Sequence, residues 1–175
     1  MINLVDGRGQ LGTVLKKIIQ EKDIEPLKEG IIYHTWNVED KSKDIQRGCY
    51  ERFRYFLDQN PSTQVIFIST NSQIENYYNY YKQFAEAYLL TNHERGYVIR
   101  LPTLIGKGTC EKFRNDNAEA FGEMELITLE DAAREILKVA QSDSLVRSFR
   151  IKGAIAPAQF VKDLIQFGRF GNEIS

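Results

Sequence analysis

The chain has 175 residues, of which 42% are hydrophobic and 27% are charged. These proportions are typical of a single globular domain with a sizeable buried core. The formal net charge is −1, so the chain lacks the basic field that binding to a nucleic-acid backbone requires. We therefore do not expect a nucleic-acid partner.

Cysteine and histidine are too few and too scattered to suggest a disulfide framework or a metal site. Cys49 and Cys110 are the two cysteines, and they are expected to be free thiols of a reduced compartment. His34 and His93 have no spaced acidic or thiol neighbours, so no zinc site is predicted. No apolar stretch reaches the length of a membrane span, and no basic and apolar leader begins the chain. We expect a cytoplasmic protein without a membrane partner.

Apolar runs rich in β-branched residues alternate along the chain with segments of helical spacing. Strands are expected near 1–5, 31–35, 65–69 and 97–101, with shorter ones near 125–127 and 149–151. Helices are expected near 13–20, 44–57, 74–90, 132–140 and 157–166. This alternation predicts an α/β fold in which helices flank a small, mostly parallel sheet. One domain, 1–175, accounts for the whole chain.

A glycine-rich loop separates the first expected strand from the first expected helix. It has the pattern G-x-G-x-x-G, which permits a tight turn and leads into a helix N-terminus suited to a pyrophosphate. The candidate cofactor-binding residues are Gly7, Arg8, Gly9, Gln10, Leu11 and Gly12. A plain glycine-rich turn carrying a solvent-exposed arginine is the alternative.

A second candidate site follows the strand expected at 65–69. This strand leads into Thr70, and the tyrosine-rich helix after it carries Tyr78 and Lys82. These two residues are four apart and therefore share a helix face. An ammonium near a phenol favours the phenolate, which lowers the pKa of the phenol toward the range of a working acid/base. Tyrosines on a helix also pack at interfaces, which is the competing interpretation.

These motifs, in this order, resemble the extended branch of the short-chain dehydrogenase/reductase family, which includes nucleotide-sugar epimerases, dehydratases and dehydrorhamnose reductases. Tyr78-Asn-Tyr-Tyr-Lys82 resembles the family's Tyr-x-x-x-Lys, and Glu86 follows at a common spacing. The strand ending at Thr70 resembles its Ser-Thr strand, and residues 97–108 resemble its Arg-x-Pro strand.

The resemblance implies a reduced Rossmann-like fold and NAD or NADP as cofactor, without indicating which. It also implies a nucleotide-linked sugar as substrate. On this alignment Tyr78 is the acid/base, Lys82 lowers its pKa and Thr70 orients the substrate carbonyl. The reaction would be a reduction or an epimerisation.

Several departures from the family pattern leave a second function open. Asp6 occupies the place of the family's first loop glycine, and Ile45 that of a frequent asparagine. The strand at 31–35 resembles the family's fourth strand, so the second and third are missing. Thr70 and Tyr78 are eight residues apart, where relatives insert about twenty residues that shape the sugar site. The alternative is a catalytically silent relative that serves as a partner-binding or assembly module.

The last third of the chain, 105–175, is expected to be a remnant of the family's substrate lobe. Its polar stretch at 106–123 carries Lys107, Lys112 and Arg114. We interpret this stretch as a solvated basic loop, with contact to a nucleotide diphosphate as the alternative. Thr128 is predicted to cap the helix that follows.

The two aromatic-rich helices predict a homodimer. In the family, the helices matching 44–57 and 74–90 pair with their copies, and here they carry aromatic residues on more than one side. The alternative is a monomer in which the tail covers these aromatics with Phe160, Phe167 and Phe170.

Overall fold

A computed structural model describes residues 2–5, 7–21, 30–115, 118–142 and 144–167. Two residues used above lie outside these ranges. They are Asp6, discussed as the replacement of a loop glycine, and Phe170, discussed as part of the tail. The statements below concern the described residues.

Strands and helices alternate along most of the described chain. The strands are β1 (Ile2–Val5), β2 (Gly30–Tyr33), β3 (Gln64–Thr70), β4 (Gly96–Leu101), β5 (Thr103–Ile105), β6 (Glu123–Thr128), β7 (Ser148–Arg150) and β8 (Ala154–Pro157). The helices are α1 (Gln10–Glu21), α2 (Lys43–Gln59), α3 (Tyr77–Asn92), α4 (Lys107–Arg114), α5 (Leu129–Gln141) and α6 (Ala158–Gln166).

The main sheet contains five strands in the order β1-β2-β3-β4-β7, and every neighbouring pair is parallel. The predicted α/β class with a mostly parallel, helix-flanked sheet is confirmed. Strand β3 lies inside this sheet and is buried from Gln64 to Ser69. Its unbroken apolar run agrees with this position, because a strand covered by helices on both faces has no polar side.

Helices cover the two faces of this sheet in separate groups. On one face α1 packs against α5, and Leu15 and Ile136 join Ile66 in a common core. On the other face α2 packs against α3, and Phe53 joins Phe67 in a second core rich in aromatic rings. Neighbouring residues of β3 serve opposite cores because side chains alternate along a strand.

Two successive connections lie on opposite faces of the sheet. The step from β1 to β2 passes through α1, and the step from β2 to β3 passes through α2. Both steps advance in the same direction across parallel strands, so the two connections have opposite hand. About 98% of such connections are right-handed, and one of these two is therefore of the uncommon hand.

A second, smaller sheet has the order β5-β6-β8, with β6 and β8 antiparallel. Helices α4 and α6 pack together beside it. The prediction of a solvated loop over 106–123 is wrong in its first half, because α4 occupies Lys107–Arg114 and buries Cys110 and Phe113. The basic side chains of α4 are nonetheless exposed. Strands β5 and β8 were not predicted.

Element boundaries shift by a few residues where capping decides them. Helix α3 begins at Tyr77 because the Asn76 side chain accepts a hydrogen bond from Asn79 N at 2.9 Å. The predicted cap at Thr128 is confirmed, since Thr128 Oγ1 accepts from Asp131 N at 3.1 Å. Helix α1 begins at Gln10, three residues before the predicted start.

Both cysteines are buried free thiols, as expected. Cys49 is on the buried face of α2, in the aromatic core, and Cys110 lies in the core beside the smaller sheet. Among the helices described, none has the length and apolar character needed to cross a bilayer.

Candidate active site

A cavity of about 780 Å³ opens at the carboxyl ends of the main-sheet strands. This volume lies in the range of small-molecule sites. Residues that follow β1 and β2 line one part of it, and the ends of β3 and β4 line another. Six of the nine sequence-predicted site residues meet in this cavity: Gly9, Gln10, Leu11, Thr70, Tyr78 and Lys82. Gly7, Arg8 and Gly12 are not part of its lining.

The loop glycines have different physical roles. A Cβ atom at Gly12 would lie 2.7 Å from Gly7 Cα and 2.7 Å from His34 Nε2, so this close approach requires glycine. A Cβ atom at Gly9 would meet nothing within 4 Å. Because Thr13 N makes the first helical bond, to Gly9 O at 2.9 Å, the amides between these residues have no acceptor within the helix. Gly9 thus leaves open space beside a helix N-terminus that favours an anion.

Gln10 connects the glycine loop to α4. Its Oε1 accepts a hydrogen bond from Lys107 N at 2.8 Å and thereby caps the first turn of α4. The Gln10 side chain also crosses Gly106, where a Cβ atom would lie only 2.6 Å from Gln10 Oε1. This contact joins two segments nearly a hundred residues apart, and nothing in the sequence predicted it.

The short connection between β3 and α3 is held by side-chain hydrogen bonds. Thr70 Oγ1 accepts from Ser72 N at 3.0 Å. Asn79 Nδ2 donates to Ser72 Oγ at 3.0 Å and to Ile74 O at 2.7 Å. Asn79 therefore fixes this loop and with it the position of Thr70 relative to α3. Sequence reasoning missed this role because an asparagine inside a helix gives no distinct signal.

Lys82 is buried beneath the cavity, with 5% of its surface exposed. Its Nζ donates to Ile68 O at 2.7 Å. The same Nζ lies 5.4, 5.1 and 5.4 Å from the ring centroids of Trp36, Phe67 and Tyr78. Burial lowers the pKa of Lys82 to about 7, although the nearby Glu86 opposes that shift. A substantial fraction of Lys82 is therefore neutral at pH 7.

Tyr78 does not have the lowered pKa that the sequence predicted. Burial raises its pKa to about 12, since the phenolate is the form that desolvation penalises. Lys82 lies beside the ring, but its own positive charge is weakened by the same burial. A second cation, Lys41 Nζ, lies 5.7 Å from the Tyr78 ring centroid. The predicted spacing on one helix face is confirmed, whereas the predicted direction of the Tyr78 pKa shift is wrong.

Glu86 forms an ion pair with Arg100 of β4. Arg100 Nη2 and Nε lie 2.5 and 3.0 Å from Glu86 Oε2, and the carboxylate is nearly inaccessible. This pair borders a polar cavity of about 250 Å³ behind Lys82. Two buried oxygens there, Ser69 Oγ and Asn79 Oδ1, have no hydrogen-bond partner among the described residues. Such oxygens are suited to ordered water.

Trp36 is a lining residue that sequence reasoning did not single out. Its Nε1 donates to Gln46 Oε1 at 2.7 Å, and its ring centroid lies 5.6 Å from that of Phe67. Trp36 thereby fixes the loop after β2 and covers Lys82. The available signal was its place as the only tryptophan, directly after a strand end.

No protein-family model matches the chain, and no curated protein matches it in sequence. Solved structures do resemble it. UDP-N-acetylglucosamine 4-epimerase from Bacillus cereus has a TM-score of 0.76 at 13% identity, covering 98% of this chain and 82% of that chain. A dTDP-4-dehydrorhamnose reductase from Clostridium acetobutylicum has a TM-score of 0.74 at 16% identity, covering 99% and 81%. The Bacillus anthracis dTDP-4-dehydrorhamnose reductase in complex with NADP has a TM-score of 0.74 at 15% identity, covering 98% and 81%.

These neighbours belong to the extended short-chain dehydrogenase/reductase family, the one that the sequence motifs resemble. At such low identity the likeness establishes the fold. The predicted Rossmann-like architecture is therefore confirmed.

Proposed function

We propose that this protein is a nicotinamide-dependent reductase or epimerase that acts on a nucleotide-linked sugar. The observation that carries the proposal is the shared cavity, which brings Thr70, Tyr78 and Lys82 together with the first turn of α1. The solved structures support it, because they are nucleotide-sugar enzymes by name and one holds NADP. Both NAD and NADP are compatible with the proposal.

The residues present fit the phosphate and the reacting end of such a cofactor. The open space at Gly9 and the amides of Gln10 and Leu11 suit a pyrophosphate. The nicotinamide group would supply hydride transfer when bound. Arg8, exposed at the same loop, is one cationic candidate for a phosphate contact.

Thr70 and Tyr78 have distinct roles at the substrate carbonyl. Thr70 Oγ1 already accepts a hydrogen bond from Ser72 N, so its own proton is available for donation to a carbonyl oxygen. Tyr78 exchanges the proton at that oxygen. An anionic ligand in the cavity would favour the charged form of Lys82 and thus raise its pKa. The resulting ammonium beside the ring would draw the Tyr78 pKa down from about 12.

Titration with NADH and NADPH tests this proposal. We expect saturable binding of at least one, seen as a change in ligand fluorescence and as protection against thermal unfolding. Tyr78→Phe should retain binding and lose turnover of the sugar substrate. Absence of saturable binding of both dinucleotides at millimolar concentration would refute the proposal.

A catalytically silent assembly module is the second candidate. The raised pKa of Tyr78 favours it, because a phenol with a pKa of about 12 keeps its proton at pH 7. Ile45, at the position of the family's asparagine, is exposed on α2. Under this candidate, Tyr78→Phe and Lys82→Ala leave the cellular phenotype intact. A lost phenotype in these variants, with the fold preserved, would count against it.

We also propose a homodimer through α2 and α3. Four aromatic side chains on these helices are each at least 47% exposed, namely Tyr55, Tyr77, Tyr80 and Phe84, and the ring centroids of Tyr80 and Phe84 lie 4.7 Å apart. Soluble monomers seldom expose contiguous aromatic surface, and interfaces favour it. The tail interpretation finds no support in the described residues, since Phe160 and Phe167 are exposed and α6 packs against α4.

Light scattering at micromolar concentration tests the dimer. A mass near 20.2 kDa would contradict it, whereas about twice that mass would support a two-fold pair. Phe84→Glu should convert the dimer to a monomer because it places a charge in the interface. Phe121→Glu is the matched control, because Phe121 is equally apolar, exposed, and not part of either helix.

The remaining assignments follow from the same proposal. We propose that 1–175 is one domain in which 105–175 is a reduced substrate lobe. The cytoplasm is its proposed compartment, in keeping with the free thiols of Cys49 and Cys110.

A further inference from the structure

The edge of the main sheet bears on how much of a dinucleotide this protein can contact. Strand β1 is the edge strand and pairs only with β2 among the described strands. Residues 22–29 are all that separates the end of α1 from the start of β2. A crossover between parallel strands takes a dozen or more residues, which is more than this segment contains.

Dinucleotide-binding sheets have two mononucleotide-binding halves on either side of a crevice. The crevice lies where neighbouring strands send their connections to opposite faces of the sheet. Here β1 and β2 meet that condition, because α1 and α2 lie on opposite faces. The β2 side carries β3 and β4, whereas no described strand lies on the far side of β1. Among the described strands, one half of the binding framework is therefore absent.

The cavity follows this asymmetry. Its lining begins at Gly9 and continues through the residues after β2 to the ends of β3 and β4. No residue of β1, and neither Gly7 nor Arg8, belongs to the lining. The cavity thus extends from the first turn of α1 toward Tyr78 on one side and along α4 on the other, and no described residue of β1 borders it.

We propose that the site recognises a mononucleotide-sized ligand, one phosphate with one ribose-linked ring, and makes no productive contact with an adenosine half. The phosphate lies at the first turn of α1, and the ring lies against Trp36 and Leu101 and reaches Tyr78. This inference rests on the proposed nicotinamide chemistry and narrows it. A whole dinucleotide binds through its nicotinamide mononucleotide half, and its adenosine remains in solvent.

Comparing three ligands tests the inference directly. Reduced nicotinamide mononucleotide, NADH and NADPH share the nicotinamide mononucleotide half, and the two dinucleotides add an adenosine monophosphate half to it. We expect their dissociation constants to agree within about threefold, because the added groups meet no protein surface. NADH and NADPH should likewise not be distinguished, since the 2′-phosphate lies on the adenosine ribose.

A large advantage of either dinucleotide would overturn the inference. An adenosine half that is held by the protein should tighten binding by about a hundredfold or more over the mononucleotide. That result would support the proposed function and refute only the narrower claim. Absence of binding by all three ligands would refute both.

A pair of glycine variants locates the binding. Gly9→Ala introduces a methyl group into open space, so the variant should fold normally. The methyl group should obstruct the phosphate and raise the dissociation constants of all three ligands by about tenfold or more. Gly48→Ala on α2 is the matched control, since its new Cβ atom makes only an ordinary 3.6 Å contact outside the cavity. Unchanged binding by the folded Gly9→Ala variant would place the ligand elsewhere and overturn the assignment.

Discussion

Buried Lys82 should make the stability of this protein depend on pH in a predictable direction. Its pKa is about 7 in the folded protein, against an ordinary value of 10.5. Between these values the unfolded chain binds more protons than the folded one, so the free energy of unfolding rises with pH. Below about pH 6 both states carry the charged lysine, and this contribution becomes constant.

The magnitude follows from the two pKa values. Between pH 7 and pH 9 the wild type should gain about 2 kcal/mol in its free energy of unfolding from this one residue. Lys82→Met fills the same space without a charge and removes this dependence. It also loses the hydrogen bond to Ile68 O, worth about 1 kcal/mol. At pH 7 the variant should nevertheless be the more stable protein, by about 3 kcal/mol.

Urea unfolding of wild type and Lys82→Met, at pH 6 to 9 and at one protein concentration, measures the effect. The difference in the free energy of unfolding between Lys82→Met and the wild type should decrease by about 2 kcal/mol between pH 7 and pH 9. Lys17→Met serves as control, because Lys17 is an exposed lysine of α1 paired weakly with Glu21, and its curve should parallel the wild type. Parallel curves for Lys82→Met would show that burial does not displace the lysine pKa.

Further substitutions test a close backbone approach, a buried ion pair and a helix cap around the cavity. Gly12→Ala should lower the free energy of unfolding by about 1–3 kcal/mol, since the new methyl group meets the loop backbone. Gly48→Ala should raise the free energy of unfolding by about 0.5–1 kcal/mol, because alanine has the higher helix propensity. Urea unfolding measures both values. Arg100→Met should lower the free energy of unfolding by about 3 kcal/mol, because the buried Glu86 carboxylate loses its partner. Adding Glu86→Leu to this variant should restore most of the lost stability in the same assay. Gln10→Ala should accelerate hydrogen exchange in the first turn of α4 by about fivefold, as expected for losing a cap worth about 1 kcal/mol.

The central part of the fold could be predicted because local and tertiary preferences agree there. Strand β3 is apolar on both faces and lies between helices on both faces. Helix α3 follows it with an asparagine cap and places Tyr78 and Lys82 one turn apart, as their spacing required. Where sequence pattern and burial point the same way, the position of a site residue follows from the sequence.

Helix α4 and the proton affinities depend on distant contacts and could not be predicted. Helix α4 is mostly polar, and only Cys110 and Phe113 are buried in it, too few for a clear amphipathic pattern. Its first turn is capped by Gln10, which lies near the start of the chain, 97 residues before Lys107. The lowered pKa of Lys82 likewise arises from desolvation beneath Trp36 and Phe67, which spacing along one helix cannot reveal.

The uncommon hand of one of the two connections, through α1 or through α2, is a consequence of the crevice between β1 and β2. A crevice at the strand ends requires that neighbouring strands send their helices to opposite faces. If the sheet continued on the side of β1 that faces away from β2, the connections on the two sides of the crevice would run in opposite directions. Both of them could then be right-handed. Here the chain crosses the sheet in one direction from β1 to β4. Two connections that lie on opposite faces of such a sheet must therefore have opposite hands. Keeping α1 and its glycine loop at the cavity, without the strands beyond β1, therefore requires the uncommon connection. In this position α1 packs against α5 and contributes buried residues to the first core, and burial of this kind favours the placement of α1.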